Sequence, residues 1–230
     1  MRIRVKFSKT GSMRFLGHLD LMHFFQQLIR RSGIPIAYSQ GMSPHQIMSF
    51  ALPLGLGAES LGEYMDIEIT EKIASKEALV LLNENSVPEI RILSFKELPE
   101  KVENAMASVT AADYRVSIKE GVKLSFSFLT ELSRLLTKDT IPVLKKTKKN
   151  EREIDIKPFI YQCKPDGEAV NVRLSCGSVD NTKPELLMKA LFEEKGEVFS
   201  EELLGILRLE LYTGAVPDFV SLDAIGREIL

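Results

Sequence analysis

Three features of the chain predict an α+β protein of two tandem βαββαβ units, each an antiparallel sheet with helices packed on one face. Residues 2–8, RIRVKFS, alternate strictly between charged and apolar side chains, the period of a half-buried strand. His18–Arg31 carries Leu21, Phe24, Phe25, Leu28 and Ile29 at helical spacing. The same order of elements then returns after a stretch, 97–111, that holds a proline, small residues and no strong period. The pattern is that of the split βαβ, or ferredoxin-like, unit used twice. It sets domains over residues 1–100 and 112–230, with a linker over 101–111.

The elements follow in order. Ile3, Val5 and Phe7 form the inner face of the first strand, and Arg2, Arg4 and Lys6 the outer. After the loop KTGSMRFLG, the helix 18–31 has Asp20 in its first turn, Arg30 and Arg31 in its last, and Gly33 as its stop. Residues 34–39 and 47–52 read as short extended pieces around the turn QGMSPH. Residues 63–70 form a strand with Met65, Ile67 and Ile69 on one face. Ser75 is the expected cap of a helix over 75–85, and 89–95 returns as a strand. In the second half, strands are expected over 113–119, 153–163, 169–176 and 206–212, with helices over 126–138 and 183–195. No residue-level repeat links the halves.

With 30 Lys+Arg against 32 Asp+Glu and 44% apolar residues, the 230-residue chain has the composition of a globular protein, not a disordered one. No stretch reaches the roughly 18 apolar residues of a membrane span, and alternating charge opens the chain, so a cytoplasmic protein without a membrane partner is expected. Cys163 and Cys176 are isolated, which excludes a four-thiolate zinc site or an iron–sulfur cluster held by this chain alone; small buried thiols are expected. No cofactor is called for.

Charge is unevenly distributed. Residues 1–58 hold seven basic side chains, Arg2, Arg4, Lys6, Lys9, Arg14, Arg30 and Arg31, one acid, Asp20, and all three histidines. The other 172 residues carry 23 basic and 31 acidic groups. Such segregation points to an anionic partner for the N-terminal third. The turn around Gly41, Ser43, Pro44 and His45 presents a histidine and backbone N–H groups. His18 and His23 stand about 140° apart around a helix axis, so a shared metal ion is not expected. The run Lys145, Lys146, Lys148, Lys149 with Arg152 is a solvated loop or a phosphate-contacting arm. No catalytic constellation is legible.

The run RVKFSKTGSMRFLGHLDLMHFFQQLIRRSGIPIAYSQGMSPHQIMSFALPLGLGAESLGEYMDIEI resembles the opening of the bacterial radical-SAM-linked family, an uncharacterised family whose members occur beside, or fused behind, a radical SAM protein. The similarity continues through REIDIKPFI and GSVDNTKPELLMKALF to LRLELY. Polar positions that match the family pattern include Ser8, Arg14, His18, Asp20, Tyr38, Ser39, His45 and Ser49, then Asp155, Asn181, Glu185 and Arg208. Family members usually carry Pro-Lys or Pro-Arg after the turn histidine, where this chain has Gln46 and Ile47. The resemblance implies a radical SAM partner, because the chain has too few cysteines to hold such a cluster itself.

The expected function is that of a non-catalytic accessory protein binding RNA or another anionic substrate. Its binding residues would be Arg2, Arg4, Lys6, Lys9, Arg14, His18, Asp20, Tyr38, Ser39, Ser43, His45 and Ser49, with Lys145, Lys146, Lys148, Lys149, Asp155, Asn181 and Arg208. A protein–protein adaptor, and a metal-independent ribonuclease using His18 or His45, are the alternatives.

Overall fold

The computed structural model describes residues 1–146, 151–177 and 181–230. The chain is mixed α+β, with mostly antiparallel strands and five α-helices among the described residues. It divides into two compact units, residues 1–110 with 208–230, and residues 111–207.

The first unit begins with β1 (Arg2–Lys9), α1 (His18–Arg31), β2 (Met48–Phe50), β3 (Glu59–Glu68), α2 (Ser75–Glu84), β4 (Ile92–Glu97) and a single helical turn, α3 (Ala105–Ser108). Its strands lie in the order β4-β1-β3-β2, each pair antiparallel. The alternation of β1 decides what its faces do. Ile3, Val5 and Phe7 join Leu21, Phe25, Leu28 and Ile29 of α1, and Ala78 and Leu82 of α2, in one apolar core. The helix α1 stops where Gly33 takes φ +68°, a left-handed conformation that glycine adopts without strain. Ser75 does not cap α2. Its hydroxyl lies inward, donating to the Phe95 carbonyl and accepting the Ile229 N–H at 2.9 Å, while Ala74 takes the capping position.

The second unit runs β5 (Ala111–Ile118), α4 (Phe128–Leu135), β6 (Pro142–Lys146), β7 (Glu151–Asp155), β8 (Ile160–Asp166), β9 (Ala169–Ser175), α5 (Pro184–Glu194) and the start of β10 (Leu204–Ala215). Here β5 and β8 flank β9, both antiparallel to it. Residues 203–205 run beside 117–119, with the Lys119 N–H donating to the Leu203 carbonyl at 2.9 Å. The order is therefore β10-β5-β9-β8. The β6–β7 hairpin is an insertion before β8, where one strand over 153–163 was expected.

Residues 208–230 return to the first unit and do not complete the second, contrary to a domain over 112–230. Polar pairing is the reason. Arg208 is buried on Glu63, Asp223 accepts from Ser94 and from Lys96 at 2.8 Å, and β12 (Arg227–Glu228) pairs with β4; β11 (Asp218–Ser221) folds back on β10. Nor is 101–111 a free linker, since Asp66 accepts the Ala105 N–H at 2.8 Å and Ala105 and Ser108 are buried. No helix among the described residues is long and apolar enough to cross a membrane.

Candidate functional site

On the outer face of β1 one cation is buried and two are half-buried, each with a partner. Arg4 is 1% exposed and grips Asp66 with two bonds of 2.8 and 3.0 Å, Arg2 donates to the Val102 carbonyl, and Lys6 donates to Glu210 at 2.7 Å. Tyr64 donates to the same Glu210; burial, then that carboxylate, pushes its hydroxyl above the ordinary range. Arg2, Arg4 and Lys6 are thus committed to internal carboxylates and carbonyls.

A second polar group lies on the inner face, where the β1 alternation ought to give hydrocarbon. Phe7 pairs with Glu63 across the β1–β3 ladder, so Glu63 shares the face of Met65 and Ile67. Arg208 donates through Nε to Glu63 Oε1 at 2.8 Å and through Nη2 to the Leu52 carbonyl at 2.8 Å. Past an irregularity in the ladder, Lys9 enters the same region at 2% exposure and gives one hydrogen bond, to the Leu16 carbonyl at 2.8 Å. An ammonium carries three donors, so this site uses a third of its capacity. Burial lowers the Lys9 pKa; Glu63 opposes that shift and Arg208 adds to it.

Lys9 and Glu63 border a crevice whose walls also include His18, Phe50, Leu52 and Tyr64. The imidazole of His18 meets the ring of Phe50 edge-on, at 5.6 Å between centroids. Lys9, Glu63 and Arg208 together carry two cations and one carboxylate. The crevice is about 10 Å³, room for a single water-sized oxygen, so a carboxylate or phosphate held at its mouth would insert one oxygen and supply an acceptor and negative charge in a place poor in water, where both count for more.

The remaining expected residues are dispersed. Arg14 lies 4.9 Å from the ring of Phe15 and 3.9 Å from Glu59, and Asp20 is exposed on α1. Ser39 holds His45 twice, at 2.8 Å to Nδ1 and 3.1 Å to its N–H, beside exposed Tyr38 and Ser43. No hydrogen bond among the described residues joins His45 to His18. Ser49 lines a separate pocket with Arg2 and Asp66. Asp155 is a turn lock, accepting the N–H groups of Ile141 and Lys157. Asn181 lies in a cleft of the second unit with Glu185. Lys148, Lys149 and the side chains of Lys145 and Lys146 lie outside the described residues. Cys176 is buried, and burial pushes the Cys163 thiol up to about 11.

Glu63 was missed in the sequence, although its parity with Met65 and Ile67 was the available signal. Lys9 shares the parity of Ile3, Val5 and Phe7 in the same way. Glu63 and Lys9 interrupt an otherwise apolar face.

The fold and the crevice define an α+β protein with a buried cationic group beside an opening. Residues 2–184 match the family described as "Uncharacterized protein conserved in bacteria (DUF2344)", and the chain belongs to that family. No curated protein matches it.

Proposed function

We propose that the protein is a non-catalytic accessory protein that holds an anionic group of its substrate, a phosphate or a carboxylate, at the mouth of the first unit's crevice, with one oxygen inserted toward Lys9. Its partner is a radical SAM protein, as the sequence resemblance implies, and the two units are tandem ferredoxin-like copies, a reading supported by their like strand orders. The observation that carries the proposal is Lys9, a buried ammonium at the crevice wall whose hydrogen bond among the described residues is to the Leu16 carbonyl, while Glu63, the carboxylate that favours its charge, is gripped by Arg208. This moves anion recognition from the outer cations to the inner ones.

The test is titration with inorganic phosphate and with a short single-stranded RNA. A single phosphate contact predicts that log affinity falls against log salt with a slope of about −0.7, whereas a basic surface touching several phosphates gives a several-fold steeper one. Lys9→Met should abolish the phosphate response. A response unchanged in that variant would overturn the proposal. RNA cleavage lost in His18→Ala with affinity retained would replace it with an enzymatic reading.

An adaptor role is the second reading. Phe15, Leu19 and Leu56 are each 65–70% exposed, and the Gly57 N–H donates to the Arg14 carbonyl, which brings the loops of Phe15 and Leu56 alongside one another. Phe15→Ser should weaken association with the partner protein, measured by calorimetry, without altering phosphate binding.

A further inference from the structure

The crevice of the first unit ends at a cation and opens through hydrocarbon. At its inner end Lys9 is buried and Glu63 is gripped by Arg208. The wall residues that reach solvent are Leu16, His18, Leu52, Pro53 and Leu54, so His18 is the one polar member of the mouth. The sequence accounts for this rim. Residues 51–56, ALPLGL, join β2 to β3 with apolar side chains where polar turn residues are the usual choice. Beside the wall residues in the chain, Phe15 and Leu56 are 65% and 70% exposed. The Gly57 N–H donates to the Arg14 carbonyl at 3.0 Å, which sets the two loops side by side. Hydrocarbon left in water around a cationic opening marks a binding surface.

The rim also selects among anions. About 10 Å³ admits one oxygen. A phosphate with one oxygen inserted would keep the others, and most of its charge, against leucine and proline side chains that donate nothing; Pro53 lacks even a backbone N–H. A carboxylate has only two oxygens. One would reach toward Lys9, and the other would lie at the mouth, where the His18 imidazole can donate to it.

We infer that the mouth of this crevice binds the carboxylate of a fatty acid, an inference that rests on the reading of Lys9 as an anion site. The hydrocarbon chain would leave over Leu16 and Leu54 toward Phe15 and Leu56. A peptide C-terminus also joins a carboxylate to hydrocarbon. Its amide, however, lies one carbon from the carboxylate and would be set against the same leucines, losing water and gaining no partner. A plain alkyl chain has no such group to desolvate.

The test is an NMR titration of the full ¹⁵N-labelled chain with octanoate below its micellar range, butanoate, octylamine, N-acetyl-leucine and inorganic phosphate. Octanoate should shift the amides of Leu16, His18, Leu54 and Leu56. A methylene half covered on an open rim is worth about twofold, so octanoate should bind about tenfold or more tighter than butanoate. Octylamine, with the same chain and the opposite charge, should leave those amides unmoved, and N-acetyl-leucine should bind more weakly than octanoate. Lys9→Met should abolish the response to both fatty acids. Leu56→Ser, an exposed substitution, should weaken octanoate and leave butanoate unchanged, which keeps the test open if Lys9→Met fails to fold. The inference falls if octanoate gives no shifts or binds no tighter than butanoate, if octylamine shifts the same amides, if N-acetyl-leucine binds as tightly, or if a folded Lys9→Met keeps octanoate. A phosphate response that needs Lys9, without any gain from chain length, would sink the fatty acid and leave the anion site standing; no response to any anion would sink both.

Discussion

Lys9 in the first unit and Glu185 in the second are ionisable groups held largely out of water, each beside an opening in its own unit. They differ in sign and in what they lack. Lys9 gives its hydrogen bond to the Leu16 carbonyl while Glu63 is held by Arg208, whereas Glu185 keeps a carboxyl oxygen that no donor among the described residues reaches. The surroundings are built on the same strand order, so the plan does not decide the chemistry. What decides it is which side chain breaks an apolar pattern: a lysine continuing an inward-facing strand alternation in one unit, a glutamate at the start of a helix in the other.

The largest expected effect tests whether Glu63 is the keystone of the first site. Glu63→Gln would remove the carboxylate that the buried Arg208 guanidinium grips, and truncating one partner of a buried pair costs roughly 3–5 kcal/mol. Urea denaturation should show that loss; a loss below about 1 kcal/mol would mean the Arg208–Glu63 pair contributes no more than an exposed one. Next comes the close approach of β10 to β3. A Cβ at Gly62 would stand 2.6 Å from the Leu209 carbonyl oxygen and 2.8 Å from the Glu210 Cα, both backbone atoms. Gly62→Ala should therefore cost about 1–3 kcal/mol through overpacking, with no counterpart in the second unit's cleft. An unchanged denaturation midpoint would show that β10 can move away freely.

How much of this was legible in the sequence follows from the range of the interactions. The helix His18–Arg31 matches its expected bounds end to end, because a wide apolar stripe and Gly33 are local signals. β1 follows from alternation alone. The β6–β7 hairpin was not resolved, since LKKTKKNERE is charged nearly throughout and gives no face to read. Ser75 looked like a cap because capping is judged from neighbours, while its partners are 20 and 154 positions away. The destination of Arg208, 145 residues from Glu63, is equally invisible to any local pattern. The cations of β1 were read as available because charge counts do not reveal Asp66 and Glu210 on adjoining strands.

A smaller effect, of opposite sign, separates stability from binding in the first unit. Lys9→Met removes an ammonium that burial disfavours and keeps much of its volume, so it should raise stability at neutral pH by about 1 kcal/mol even as phosphate binding is lost. The pH dependence gives the check. Because the native pKa of Lys9 is below its ordinary value near 10.5, the unfolded chain holds the proton more tightly between those two values. Wild-type stability should therefore gain from this group as pH rises through that window, and lose the gain as pH falls. Lys9→Met should show no such increment. An identical slope in both proteins would mean that Lys9 is solvated in solution.

The smallest effect mirrors it in the second unit. Glu185 has its native pKa raised, with burial as the leading cause, so the folded protein binds the proton more tightly than the unfolded chain does. Its contribution to stability is complete below the ordinary value near 4.5 and is lost as pH rises through the native value. Glu185→Gln keeps the shape, supplies an N–H₂ in place of a charge, and should abolish that decline, raising stability at neutral pH by under about 1 kcal/mol. Thermal unfolding between about pH 4 and 8 measures the difference between the two proteins. The two substitutions then bracket the comparison: Lys9→Met flattens a rise at high pH, and Glu185→Gln flattens a fall that begins at low pH. An identical pH profile in both proteins would mean that the Glu185 carboxyl is solvated in solution.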